Sequence, residues 1–338
     1  MLFENPFLKT GLADDSLKGI PAPSVDADAP RNLLKRCPEA GETPLVALGA
    51  FAGAGEVFVK DERARMGLGS FKALGAAYVI ACEAGRGRAA GKTFVCASAG
   101  NHGLSVAAGA SAFKAKAVIY LSRAVPEAFA ARLRGWGAEV RRVDGSYEDS
   151  MAAAAEAAAK EGFKLLSDSS WQGYTAYPHR LMEGYLVMAA EAVEQMPEPP
   201  THIFLQAGVG GLAAACAAYF RKVWGDGPRI VVVEPEAAPA LIESVKAGRF
   251  VSTSGPESCM GRLDCKDASL IALKGLARDA SAFMTISEAE ALSVLKPLEN
   301  LDLKTTPSGG AALAGLLSLP QLGQEARVLC IVSEGPEA

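Results

Sequence analysis

The sequence predicts an α/β protein of two domains with parallel-rich sheets. One observation is size: 338 residues, 50% of them hydrophobic, suffice for a core that chains of this length usually divide between two domains. Another is alternation, because short β-branched runs take turns with longer Ala-rich segments of helical period, the pattern of crossover units in a parallel sheet. A third is punctuation, with Gly-rich turns standing where strands end and helices begin.

Taken in order from Val57, the strand VFVK leads to the helical FKALGAAYVIACEAG, then TFVCAS, NHGLSVAAGASAF, AVIYLS, PEAFAARLRGWG, AEVRRVD and SYEDSMAAAAEAAAKEG. The alternation resumes with KLLSDS, the helix YPHRLMEGYLVMAAEAVEQM, the strand HIFLQAG, the helix GGLAAACAAYFRKVW, the strand RIVVVEP and a last strand VLCIVS. Rich in Pro, Asp and Gly, the first 50 residues read as an irregular arm wrapping a domain, and residues 196–200 read as a stiff connector. Residues 251–267 have little periodicity, which marks a long functional loop.

Composition narrows the function. With 34 basic and 38 acidic residues the net charge is -4, so no positive field attracts nucleic acid or an anionic membrane. Apolar stretches are interrupted by charges well short of the roughly 18 to 20 residues a membrane span needs. The chain opens through Phe3, Glu4 and Asn5 without a basic and then apolar leader, which points to the cytoplasm. Seven scattered cysteines suit reduced core residues, and with only three histidines to help them no metal site is expected.

Several turns have residues suited to chemistry. Lys72 follows the turn Met66-Gly67-Leu68-Gly69 and opens an apolar helix, beside Phe71, Ala73 and Leu74. Desolvation there lowers a lysine toward the neutral amine used in imine formation and proton abstraction, although a snorkelling lysine at a helix start has the same pattern. The turn Ser98-Ala99-Gly100-Asn101-His102 lies between a strand and a helix, where free N–H groups and the helix dipole favour an anion such as a carboxylate. Gly208-Val209-Gly210-Gly211-Leu212 occupies the same kind of junction and suits a phosphate, held without a side-chain charge. This run also overlaps the dinucleotide fingerprint, with Glu234 at the next strand end as the ribose-binding acid, so an oxidoreductase stays open. Ser333 ends the last strand at the sheet edge where α/β folds bind ligands, and Asp168 either caps its turn or serves a substrate.

In this order, the Lys of SFK, the SAGNHG turn, the AGVGG cradle and the terminal Ser resemble the tryptophan synthase β-like, or fold type II, pyridoxal-phosphate enzymes. Within them the chain is most similar to the diaminopropionate ammonia-lyases, through KDERARMGLGSFKALGAAY, GNHG, SDSSWQGYTAYP, GYLVMAAEAVEQM, PTHIFLQAGVGG, MGRLDC and IVSEG, from about Thr43 to Gly335. The resemblance implies a large cofactor-binding domain from residues 1–89 and 173–338, with a small domain, 90–172, inserted in it. It also implies a homodimer acting on a small amino acid.

By the same resemblance, Lys72 holds pyridoxal 5'-phosphate as a Schiff base and acts as base at the substrate α-carbon, and Phe71 lies beside the ring. Asn101 meets the phenolic oxygen, the amides of Gly208, Val209, Gly210, Gly211 and Leu212 take the phosphate, and Ser333 faces the pyridine nitrogen. Ser98, Ala99, Gly100 and His102 hold the substrate, and Asp168 recognises a β-ammonium group. The implied reaction is elimination of ammonia from 2,3-diaminopropionate to give pyruvate, with serine or threonine dehydration and β-replacement as alternatives. Three positions depart from the lyase pattern. Ala99 replaces an acidic residue, which leaves Lys72 as the α-carbon base and implies action on the L isomer. The stretch Thr305 to Gly310 has no glutamate, and Ala240 stands where a disulfide partner of Cys265 would be.

Overall fold

The structure, a computed structural model, describes residues 1–336. The chain begins with β1 (Leu2–Glu4), α1 (Asp28–Leu34) and the hairpin β2 (Leu45–Phe51) to β3 (Ala54–Asp61), and α2 (Ala73–Gly85) follows. Next come β4 (Thr93–Ala97), α3 (Asn101–Ala112), β5 (Lys116–Ser122), α4 (Glu127–Gly135), β6 (Glu139–Val143), α5 (Tyr147–Glu161) and β7 (Lys164–Leu165). After α6 (Ala176–Gln195) the chain forms β8 (His202–Gln206), α7 (Gly211–Trp224), β9 (Arg229–Pro235), α8 (Ala240–Ala247), α9 (Leu270–Asp279) and β10 (Ala282–Ile286). The last elements are α10 (Glu288–Ser293), α11 (Leu295–Asn300), α12 (Pro307–Leu317) and β11 (Gly323–Val332).

These strands form two sheets. A 7-stranded sheet has the order β1-β10-β9-β8-β11-β3-β2, and a 4-stranded sheet the order β6-β5-β4-β7. The second is parallel throughout, while the first is parallel except for its two edges, β1 and β2. Helices cover both faces of the large sheet, so its inner strands read as continuous apolar runs: Ile230, Val231, Val232 and Val233 of β9 are buried, as is all of β10. Packing between helices is close where glycine permits it. A Cβ on Gly184 of α6 would come within 2.2 Å of the Leu74 carbonyl oxygen on α2, so those two helices meet almost backbone to backbone.

The α/β class with parallel-rich sheets is as the alternation predicts. The reading of the first 50 residues as irregular is corrected, because β1 and most of β2 lie there as the two edges of the large sheet. Both are short or half exposed, and β2 owes its place to hairpin pairing with β3 more than to a hydrophobic pattern of its own. Residues 251–267 do lack helix and strand. Among the described residues no helix is long and apolar enough to cross a membrane.

Candidate active site

The proposed site residues lie just past the carboxyl ends of parallel strands, where open α/β sheets bind ligands. Leaving β3, the chain makes a turn with left-handed backbone at Met66, Gly67 and Gly69, then runs beside the end of β11. Phe71 N–H donates to the Ser333 carbonyl at 3.0 Å, and Gly335 N–H to the Gly69 carbonyl at 3.0 Å. This short pairing fixes Lys72 at the start of α2, next to the last strand.

Asp168 comes from the other sheet. β7 continues past its last residue with Leu166 N–H on the Val95 carbonyl, and Tyr174 then folds the turn back: its hydroxyl donates to Leu165 O at 2.8 Å and accepts from Ser167 N–H at 3.0 Å. Ser170 is held by Ser269 at the start of α9, hydroxyl to hydroxyl at 2.7 Å. The result is an ion pair across the cleft, Lys72 Nζ to Asp168 Oδ2, at 2.6 Å. Glu83 ties the same two elements together, since this α2 carboxylate pairs with Lys164 of β7.

The electrostatics correct one sequence expectation. Burial alone would lower the Lys72 ammonium, but the Asp168 carboxylate outweighs it and holds the lysine above its ordinary value. Asp168 is held well below the usual carboxylate range, because Lys72 overcomes the effect of burial. Beside Asp168, therefore, Lys72 is held toward the charged ammonium and not toward the neutral amine that its apolar neighbours suggest. It becomes the amine only once something displaces that pair.

On the same side of the cleft as Asp168, Gly100 caps α3, and Asn101 opens it as a buried residue. The Asn101 amide donates to Glu334 Oε2 at 2.5 Å, and the Thr306 hydroxyl to Glu334 Oε1. Arg262, from the long loop, places Nε 3.0 Å from Glu334 Oε2 and lies against Gly100, 3.7 Å from where a Cβ would stand. Sequence reasoning did not single out Glu334 or Arg262. An acid one residue past a strand end has no pattern of its own, and the loop was visible as a lack of periodicity and, at MGRLDC, as part of the family resemblance. Ser98 accepts from Gly100 N–H at 3.3 Å, and Ala99 is half-buried beside it. His102 is buried with Nε2 2.8 Å from the Leu166 carbonyl, and burial holds its ring below the ordinary histidine value. A neutral ring donating there braces α3 against the strand that leads to Asp168.

The glycine run lies between β8 and α7, with Gly210 in the left-handed region at φ +94°. A Cβ on Gly208 would stand 3.0 Å from Leu263 Cα and 3.1 Å from Cys265 Sγ, so the loop leaves no space for a side chain. Burial pushes the Cys265 thiol up to about 12, and every cysteine among the described residues is free. Cys259 is exposed, unlike the core cysteines expected from the sequence. Glu234, the acid a dinucleotide site would use on a ribose, is fully buried instead, accepting from Leu241 and Ile242 N–H at 2.8 Å each. That overturns the oxidoreductase alternative, because the carboxylate caps α8 and faces no cleft.

Comparison with known proteins agrees with this geometry. Residues 37–334 match the model of the pyridoxal-phosphate dependent enzyme family. The chain is 33% identical over 282 residues to a diaminopropionate ammonia-lyase of Escherichia coli K12, covering 76% of this chain and 71% of that one. To a serine dehydratase-like protein of Mus musculus it is 28% identical over 281 residues, 82% of each chain. It also superimposes on the crystal structure of the Escherichia coli diaminopropionate ammonia-lyase in complex with an aminoacrylate-PLP azomethine intermediate. That match has a TM-score of 0.88 and 28% identity, over 99% of this chain and 93% of that one.

The residues present fit such a cofactor. A lysine stands at the cleft, Gly208 and Gly210 of the loop past β8 leave no space for a Cβ, and the Tyr185 hydroxyl of α6 is buried there without a hydrogen-bond partner. The chain belongs to the pyridoxal-phosphate dependent enzymes of the tryptophan synthase β-like fold, as a carbon–nitrogen lyase of the ammonia-lyase kind with pyridoxal 5'-phosphate as its cofactor.

Proposed function

We propose that the protein eliminates ammonia from L-2,3-diaminopropionate, and the observation that carries this reading is the Lys72–Asp168 pair at 2.6 Å. When bound, pyridoxal phosphate stabilises the negative charge that develops at a substrate α-carbon. Lys72 would hold it covalently through Nζ, with Phe71 beside the ring, Asn101 at the phenolic oxygen and Ser333 at the pyridine nitrogen. The amides of the 208–212 loop would take the phosphate at the N-terminus of α7.

Once Lys72 is engaged, Asp168 loses the ammonium that now neutralises it, and a carboxylate at that distance from the reacting centre favours a substrate that brings its own cation. The β-ammonium of diaminopropionate supplies one, whereas a serine hydroxyl does not. The N-terminus of α3, at Ser98 to His102, receives the α-carboxylate. The substrate amine would displace Lys72 from the cofactor and free Nζ to take the α-proton; the Cβ–N bond would then break with its electron pair leaving on ammonia, and water would release the second nitrogen to give pyruvate. Ala99 has no exchangeable proton, so the opposite face of the α-carbon has no base there and the L isomer is the substrate. We further propose that residues 90–172 act as a separate small domain and that two copies of the chain pair.

The test is a keto-acid release assay with both isomers of diaminopropionate and with L-serine and L-threonine. Diaminopropionate should give the highest kcat/KM, and Asp168→Asn should lower it by about 10- to 100-fold, the range for loss of one charge-assisted hydrogen bond, with a smaller loss for serine. Serine turned over faster than diaminopropionate by the wild type would make the enzyme a dehydratase, the reading that the Ala99 turn favours.

A further inference from the structure

Tyr185 is built into the site with its hydroxyl facing the Lys72 ammonium, which gives its hydrogen bond to Asp168 instead. On α6, its side chain is 1% exposed, and its hydroxyl has no hydrogen-bond partner. Burying such a group without a partner is costly, and buried hydroxyls are rarely left so unless something else completes them. The surroundings are shaped for the phenol. A Cβ on Gly75 of α2 would stand 2.7 Å from Cε1, and one on Gly211, first residue of α7, 3.7 Å from Cε2. These carbons flank the one bearing the hydroxyl, so the oxygen end of the ring lies between the helix that Lys72 opens and the helix whose N-terminus follows the glycine loop. Phe71 packs on the ring, centroids 4.8 Å apart, and Lys72 Nζ lies 5.9 Å from its centroid while giving its hydrogen bond to Asp168.

We propose that the Tyr185 hydroxyl is a side-chain donor to the cofactor phosphate, completing a cradle otherwise made of backbone amides from the 208–212 loop. This rests on the cofactor assignment and not on the choice of substrate. A neutral donor suits the place. Burial keeps the phenol protonated at any working pH, and an O–H on a phosphate oxygen is a charge-assisted bond that backbone N–H groups alone leave unmade. The other buried polar atom without a partner beside this loop, Gln206 Oε1, can only accept, so it has nothing to offer an anion.

Tyr185→Phe keeps the ring and removes only the hydroxyl. Apoenzyme, wild type and variant, is titrated with pyridoxal phosphate and, separately, with pyridoxal, which lacks the phosphate, following the colour that forms on Lys72. The expected result is a Kd for pyridoxal phosphate about 10- to 100-fold weaker in the variant, with the Kd for pyridoxal unchanged. The thermal midpoint of the apo variant should be equal to or above that of the wild type, since the unmet hydroxyl is gone. Equal weakening toward both ligands would put the hydroxyl on Lys72 or the ring and overturn the proposal. So would an unchanged Kd for pyridoxal phosphate, or a destabilised apo variant, which would mean that the hydroxyl already has a protein partner. Wild type that takes up neither ligand would sink the cofactor assignment itself.

Discussion

Two sets of buried charges lie close together in the chain and could hardly be treated more differently. Between β3 and α6, the Arg65 guanidinium donates to both Glu62 and Glu191, to the Thr43 hydroxyl and to the Gly41 carbonyl, at 2.6–2.9 Å. Lys60 adds bonds to Glu191, to the Thr43 carbonyl and to Gln195. Two cations meet two carboxylates, the donors of Arg65 are spread over several acceptors, and the side chains are at most 4% exposed. At the cleft, Lys72 and Asp168 have one bond between them and are each 21% exposed. The first set is saturated and closed to ligands, so it fixes backbone. The second is a single bond across a cleft, which a ligand can exchange for its own.

The contrast predicts where a mutation registers. Lys72→Ala should abolish keto-acid release, a loss of about 10⁴-fold or more for a base that also anchors the cofactor, while circular dichroism stays as in the wild type. A folded Lys72→Ala protein with measurable turnover would assign the base elsewhere. Arg65→Ala should act on stability instead, by about 3–5 kcal/mol, because it leaves Glu62 buried without its cation and Glu191 with Lys60 alone. Arg65→Lys should rescue little of this, since an ammonium cannot reach the same fork of acceptors. A urea midpoint for Arg65→Ala near that of the wild type would mean that the network is not the brace described.

A pH slope should come from a third buried ionisable group. Glu234 accepts two backbone N–H bonds, yet burial pushes its carboxyl up to about 8, whereas an unfolded glutamate titrates near 4.3. Between those values the folded chain keeps a proton that the unfolded chain has released, so stability falls as pH rises from about 5 to 8. Glu234→Gln should flatten that fall between about pH 5 and 8. An unchanged slope would show that the two amides keep the carboxylate ionised, as an ordinary helix cap.

Much of the site was legible because its pieces are local. The Ser98–His102 turn and the 208–212 run announce themselves as small residues between an apolar strand and an Ala-rich helix, and Lys72 as a cation among apolar neighbours. The glycines at 208 and 210 are demanded by backbone geometry and by the close approach of Leu263 and Cys265. Glu334, Arg262 and Tyr185 stayed hidden for a different reason. Each works through partners far away in sequence, Glu334 with Asn101 and Tyr185 between Gly75 and Gly211, and no local pattern records such contacts. The edge strands β1 and β2 were missed likewise, since half-exposed edges have weak periodicity.

By itself, then, the sequence determined the α/β class, the strand-to-helix turns and the residue types that a phosphate and an imine require, because periodicity and glycine chemistry act over a few neighbouring residues. Only the tertiary structure decided what state those residues are in. Lys72 looked like an amine made neutral by its apolar neighbours. Folding brings Asp168 to 2.6 Å and makes it an ammonium, because the Coulomb interaction depends on distance in space and not on distance along the chain.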